Sequence, residues 1–235
     1  MSRILPLQEM KMTYPSDTVT STRGVFGVVV DDNIKVAWCQ FDSHPEFLGR
    51  NIIRAARRIC TDYVNYRHRA RELKVVDPSA SVPHNIEKRF LRLRDHEPLK
   101  QMRPYDGLFH SLFTPLQGDL LGVLDSGYIV DATQLLGRSY LHWGYIVNFD
   151  YSTFDVYRGN VQSLDLKSPI SGSFARWDED GKQKILRPPH QFAAIPLNKI
   201  KEEHDEGLVN LIYELHDVSC RHMGQEREQV YSKSL

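Results

Sequence analysis

Gly24-Val-Phe-Gly-Val-Val-Val30, Asp31-Asp32-Asn33 and Ile34-Lys-Val-Ala-Trp-Cys39 decide how this chain begins to fold. Two β-branched and aromatic runs joined by a short Asp/Asn turn read as a β-hairpin. The unbroken Val28-Val29-Val30 predicts a strand buried on both faces. Downstream, Asp42-Ser43-His44-Pro45 ends the second strand, because proline cannot extend a ladder but fits the first turn of a helix, with Ser43 or His44 near the cap. From Arg50, the apolar Ile52, Ala56, Ile59, Cys60 and Tyr63 recur at helical spacing, while Arg50, Arg54, Arg57 and Arg58 fill the other side. The pattern predicts an amphipathic helix with a basic outer face, running to about Lys74. Asp77–Pro83 reads as a loop, 86–93 as a second charged helix and 116–124 as a short one, weakened by Gly118 and Gly122.

The clearest signal of the second half is Tyr140-Leu-His-Trp-Gly-Tyr-Ile-Val-Asn-Phe149, then Asp150-Tyr151-Ser152, then Thr153-Phe-Asp-Val-Tyr157. This is a second hairpin, closed by Arg158-Gly159. A further strand pair is expected between 172–177 and 191–195 around Asp178–Gly181. A closing helix carries Leu208, Leu211, Ile212 and Leu215. Hairpins grouped around a block of helices give an α+β class: antiparallel β-hairpins packed with helices, with a sandwich like that of the N-terminal nucleophile hydrolases as one possible form. Residues 1–20 read as an extension, 21–223 as a single globular domain and 224–235 as a polar tail.

Composition narrows the function classes. The chain has 235 residues, 41% hydrophobic and 26% charged, which places it among globular proteins. Cys39, Cys60 and Cys220 are odd in number and widely spaced, so they form no disulfide framework and suit a reducing compartment; the cytoplasm is the expected location. No stretch approaches the roughly 18–20 apolar residues of a membrane helix. Gln8, Glu9 and Lys11 interrupt the N-terminal apolar run too early for a secretory signal. Formal net charge is zero, which gives no global attraction to nucleic acid or anionic membranes. Its distribution is uneven: bases outnumber acids between Arg50 and Arg103, and acids gather in Asp178–Asp180, Glu202-Glu203 and Asp205-Glu206. The two zones either face solvent or pair within the fold, or the basic one forms a surface for nucleic acid or an acidic partner.

No phosphate-binding glycine loop, dinucleotide fingerprint, His-Glu-x-x-His or Gly-x-Ser-x-Gly elbow is present. His216 and Cys220, four apart, share a helix face and are zinc ligands by type. His222 points elsewhere and no second ligand pair accompanies them, so a surface histidine and a packed thiol is the plainer reading. No metal or cofactor is expected. Asp42 sits where a strand hands over to a loop, either orienting His44 or an arginine, or accepting backbone hydrogens as an Asx-type cap. Ser21-Thr22-Arg23 opens the first strand. A hydroxyl there either merely begins the strand or serves as nucleophile with its own α-amine as base, which requires removal of residues 1–20.

Thr22-Arg23-Gly24, Asp32, Lys35, Gln40–Pro45 and Gly49 form the first block of a wider pattern. Leu116–Leu120, Trp143–Asp150 and Phe154–Gly159 continue it, and it fades near Ile195-Pro196-Leu197. Across most of 21–200 the chain resembles a family found in actinobacteria, their phages and filamentous fungi. That family carries a Cys- or Gly-Thr-Arg-Gly start, an Asp-Ser-Tyr-Pro-like segment and a Trp-Gly-Tyr…Val-Tyr-Arg-Gly hairpin. A cysteine start implies, by analogy, an N-terminal nucleophile; Ser21 matches that position here.

Two readings of function follow. The first is a non-enzymatic binding module with a protein partner, using Arg50, Arg54, Arg57 and Arg58. The alternative is an amide hydrolase with Ser21 as nucleophile, Arg23 binding a substrate anion, and Asp42 and Asn148 as polar groups across the site. Nucleic acid is not the expected partner, because no stacking-aromatic motif accompanies the basic helix.

Overall fold

A computed structural model describes residues 22–40, 42–94, 106–133, 141–158, 175–177, 183–185 and 190–232. β1 (Arg23–Val30) and β2 (Asn33–Cys39) pair antiparallel as the first hairpin. Its two turn residues, Asp31 and Asp32, both have left-handed φ (51° and 60°). That geometry matches the right-handed twist of the strands and is tolerated by Asp and Asn. A single π-helical turn (Pro45–Gly49) leads into α1 (Arg50–Thr61). His44 is the N-cap residue of the π-helical turn and Pro45 stands in its first turn, as expected, although no side chain makes a capping hydrogen bond.

The long basic helix is in fact two, because Asp62 leaves helical geometry (φ −146°, ψ 55°) and α2 (Tyr63–Glu72) starts anew. Then follow β3 (Lys74–Val76), α3 (His84–Arg94), α4 (Phe109–Leu112), α5 (Leu120–Ser126) and β4 (Tyr128–Val130). The Asp119 side chain caps α5 by accepting from the Gly122 N–H. β5 (Leu141–Asn148) and β6 (Thr153–Arg158) form the second hairpin. β7 (Ala175–Trp177), β8 (Gln183–Ile185), β9 (His190–Pro196), α6 (Leu197–Glu202) and α7 (Asp205–Ser232) complete the described chain.

The α+β class is observed, and its main sheet is mixed. The strand order is β2-β1-β5-β6-β9. The two hairpins lie side by side, joined by a parallel β1–β5 seam in which Gly24 faces Trp143 and Val29 faces Asn148. They do not stack face to face as a sandwich; the other sheets among the described residues are the two-stranded β3–β4 and β7–β8. The third strand pair also differs from expectation, because β7 pairs with β8 while β9 joins the sheet through β6. The closing helix continues through Ser232, into the segment expected as a tail.

Strand alternation sends Phe26, Val28, Trp143, Tyr145, Val147, Phe154 and Val156 to one face, into a large core with Ile52, Ile53, Ile59, Leu208 and Ile212 from the helices. Val25, Val29, Ile146 and Tyr157 face the other way, in a smaller cluster with Ala132 and Leu141. Both faces of the sheet centre are therefore buried, as the Val-Val-Val run predicts.

At the turn end of the sheet, charges hold α2. Lys35 Nζ donates to the carbonyls of Ala70, Arg71 and Leu73 at 2.8 Å each, satisfying the orphan acceptors of a helix C-terminus. Burial pushes the Lys35 amine down, against the pull of Glu72 and Asp31. We expect Lys35→Met to cost about 2–3 kcal/mol, because it strips partly buried acceptors of a charged donor. Urea unfolding should show a lower midpoint at unchanged slope.

Candidate functional site

At the opposite end of the sheet the segments that head the two hairpins meet. Ser43 N–H donates to the Thr22 carbonyl at 3.0 Å, pinning the 42–49 junction over the head of β1. Only glycine fits beneath it: a Cβ on Gly24 would lie 2.4 Å from Ser43 Cβ and 2.9 Å from the Trp143 carbonyl. A Cβ on Gly49 would likewise meet the Tyr145 ring at 3.0 Å. Tyr145, fully buried, donates its hydroxyl to the Ser43 carbonyl at 3.0 Å. Burial raises its pKa well above the ordinary value, with Tyr213 and Glu46 adding to the effect. The Tyr213 hydroxyl donates to Glu46 at 2.5 Å; burial and that bond keep this phenol protonated too.

Beside these phenols lies an arginine with no counter-ion among the described residues. Arg158 stands directly opposite Trp143 across β5 and β6, its guanidinium 4.4 Å from the indole centroid. It is half-buried, and burial lowers its pKa. The titratable groups that face it are Tyr145, Cys220 and Tyr213; no carboxylate of the described residues is among them. Arg158 Nη1 and Trp143 Nε1 are both buried without a hydrogen-bond acceptor among the described residues, and Trp143 is 2% exposed. Buried donors lacking acceptors are costly, at about 1–3 kcal/mol each. His216 from α7 closes the group, 5.4 Å from both the Trp143 and Phe192 rings. Burial lowers its pKa, and Arg158 lowers it further. Cys220 Sγ lies 3.6 Å from His216 Nε2.

The residues expected to form a catalytic set do not converge. Ser21 lies outside the described residues, as does the 1–20 extension. Arg23 is exposed at the head of β1, with its N–H 3.3 Å from His142 Nδ1. Asp42 is near it, in a left-handed conformation (φ 38°). Burial raises its pKa against the His44 charge and the His44 N–H, which is the Asx-type bond considered above. Asn148 is at the other end of the sheet, paired with Val29, six residues along β1 from Arg23; at about 3.3 Å per residue that is about 20 Å. Its amide donates to Asp155 at 2.9 Å and its oxygen accepts the Asp150 and Tyr151 N–H groups. Asn148 organises the hairpin turn instead of facing Arg23 and Asp42.

The basic face of α1 is also largely committed. Arg54 and Arg57 grip the two Asp205 oxygens at 2.6 Å each. Arg57 also donates to the carbonyls of Ile200 and Glu203, and Arg50 meets Glu206 at 2.8 Å. Arg58 alone of the four has no such bond among the described residues and stays exposed. The pairing of basic and acidic zones within the fold removes most of the proposed partner surface. Trp143 and Arg158 escaped attention as a site because they read as hairpin residues, although hairpin register already sets them opposite one another.

A separate apolar cavity of about 180 Å³ lies beside β2, walled by Phe26, Ala37, Trp38, Phe113 and Val123. Among the described residues no group of three or more His, Cys, Asp or Glu is placed to hold a metal ion, and no helix is long and apolar enough to cross a membrane. Comparison with known families, curated proteins and solved structures finds no match.

The Asp205 clamp has a pH signature. Burial pushes its carboxyl up, but the bonds from Arg57 and Arg54 outweigh this and hold it below the usual range. Because the folded pKa is depressed, the clamp's contribution is complete above the unfolded value of about 4 and is lost as pH falls through the folded pKa. We expect Asp205→Asn to cost about 1–2 kcal/mol at neutral pH. Denaturation curves at pH 7 and pH 3 should show the gap between wild type and variant narrowing in acid.

Proposed function

We propose that this domain is a cytoplasmic binding module whose site recognises an anionic group, a carboxylate or phosphate, through Arg158 over the floor of Trp143. The observation that carries the reading is the half-buried guanidinium without a carboxylate partner among the described residues, joined to an indole N–H that also lacks an acceptor. A planar guanidinium matches the geometry of carboxylate and phosphate oxygens, and the indole beneath Arg158 holds its plane in place. The neighbouring Tyr145 and Tyr213 phenols stay protonated, so they do not neutralise the cation. Such a group is presented equally by an acidic side chain of a protein partner or by a small acid.

Trp143 reports on its own site. In a Trp38→Phe/Trp177→Phe background, benzoate should quench its fluorescence saturably while benzamide, the uncharged analogue, does not. Arg158→Gln should weaken benzoate binding about tenfold, the equivalent of about 1.4 kcal/mol. Equal quenching by benzamide, or an unaltered response in the variant, overturns the reading.

The hydrolase reading keeps one supporting observation: Thr22 is fixed at the edge of this same site by its bond to Ser43. It requires a mature chain that begins at Ser21. Intact-mass measurement of active material decides it, because a full-length chain leaves Ser21 with no free amine.

A further inference from the structure

We propose that Cys220 and His216 form a nucleophilic thiol–imidazole pair beside Arg158, suited to an electrophile that carries a carboxylate or phosphate. The two side chains are one helical turn apart on α7, with Sγ 3.6 Å from Nε2. The other ring nitrogen, Nδ1, faces the Asp217 carboxylate at 3.7 Å. A proton on Nδ1 is favoured by that carboxylate, which leaves Nε2 as the acceptor for the thiol proton. The imidazole is wedged against Trp143 and Phe192, so its plane is held by packing. The thiol itself is exposed and free of any disulfide, whereas Cys39 is buried.

The chemistry needs nothing beyond these groups and the electrophile. Sγ forms a bond to the electrophilic carbon as its proton passes to His216 Nε2, and the leaving group departs with its bonding electron pair. Arg158 lies close enough to interact electrostatically with both Cys220 and His216. It draws an anionic reagent to the sulfur. The preference for an anion rests on the binding reading above; the nucleophilicity of the thiol does not.

The test measures alkylation of Cys220 in the full chain at pH 7 by peptide mapping, with iodoacetamide as neutral probe and iodoacetate as anionic probe. In each case a carbon–sulfur bond forms and iodide leaves. His216→Gln should slow both reactions about a hundredfold, the low end of the usual scale for a positioned base. Arg158→Gln should lower the iodoacetate-to-iodoacetamide rate ratio about fivefold, as expected when a nearby cation is removed. Arg158→Lys, which keeps the charge, should restore most of that ratio, and urea midpoints near the wild-type value serve as the folding control for the variants. Unchanged rates in His216→Gln overturn the thiol–imidazole pair. A slowed His216→Gln with an unchanged ratio in Arg158→Gln overturns the anion preference, and with it the role given to Arg158, while the pair itself stands.

Discussion

The parallel seam between β1 and β5 is the constraint on which the rest depends. It brings residues more than a hundred positions apart into register, Gly24 beside Trp143 and Val29 beside Asn148. Each hairpin alone would leave both of its strand edges open, and neither is stable in water without further strands. Joined edge to edge, they make a sheet wide enough to take α1 and α7 on one face. The seam also defines two chemically different ends. At one, two hairpin turns sit together against α2. At the other, the strand head at Thr22, the 42–49 junction and the Trp143–Arg158 pair converge.

The cations of this protein illustrate how context decides the meaning of an arginine. Arg50, Arg54 and Arg57 lie along one face of α1 and find carboxylates from the start of α7. Their charge is spent within the fold, where it sets the angle between the two helices. Arg158 has an aromatic ring below it and phenols around it. The cost of keeping that guanidinium partly out of water is not offset by any ion pair of the described residues. A site that tolerates such a cost is suited to a ligand that removes it.

Both hairpins were legible because their signals are local: β-branched alternation on each side of Asp-rich turns. The amphipathic pattern of α1 was equally plain. What lay outside local reading was everything set by long-range pairing. Nothing near Val25 or Ile146 announces that their strands run parallel. Nothing on α1 states whether its basic face meets solvent or the acids at 205–206. The break at Asp62 was not legible because that residue leaves helical geometry without proline or glycine nearby. Asn148 misled for a physical reason: a polar residue beside a hairpin turn has the same composition whether it binds a ligand or holds backbone N–H groups. Arg158 opposite Trp143 was within reach, since antiparallel register follows once the turn is placed; its lack of a counter-ion among the described residues was not.

The end of the sheet remote from Arg158 is stapled by exposed charge. Asp31 receives two bonds from Arg71, at 2.6 and 2.8 Å, and Asp150 accepts the Asp31 and Asp32 N–H groups at 2.9 Å each. Electrolyte weakens such contacts, since the screening length falls from about 8 Å in physiological salt to about 3 Å at 1 M. The Trp143 end, knit by ring packing, has little for added ions to shield. The protein is thus polarised in its response to salt: concentrated electrolyte loosens α2 and the hairpin tips while leaving the aromatic pole in place.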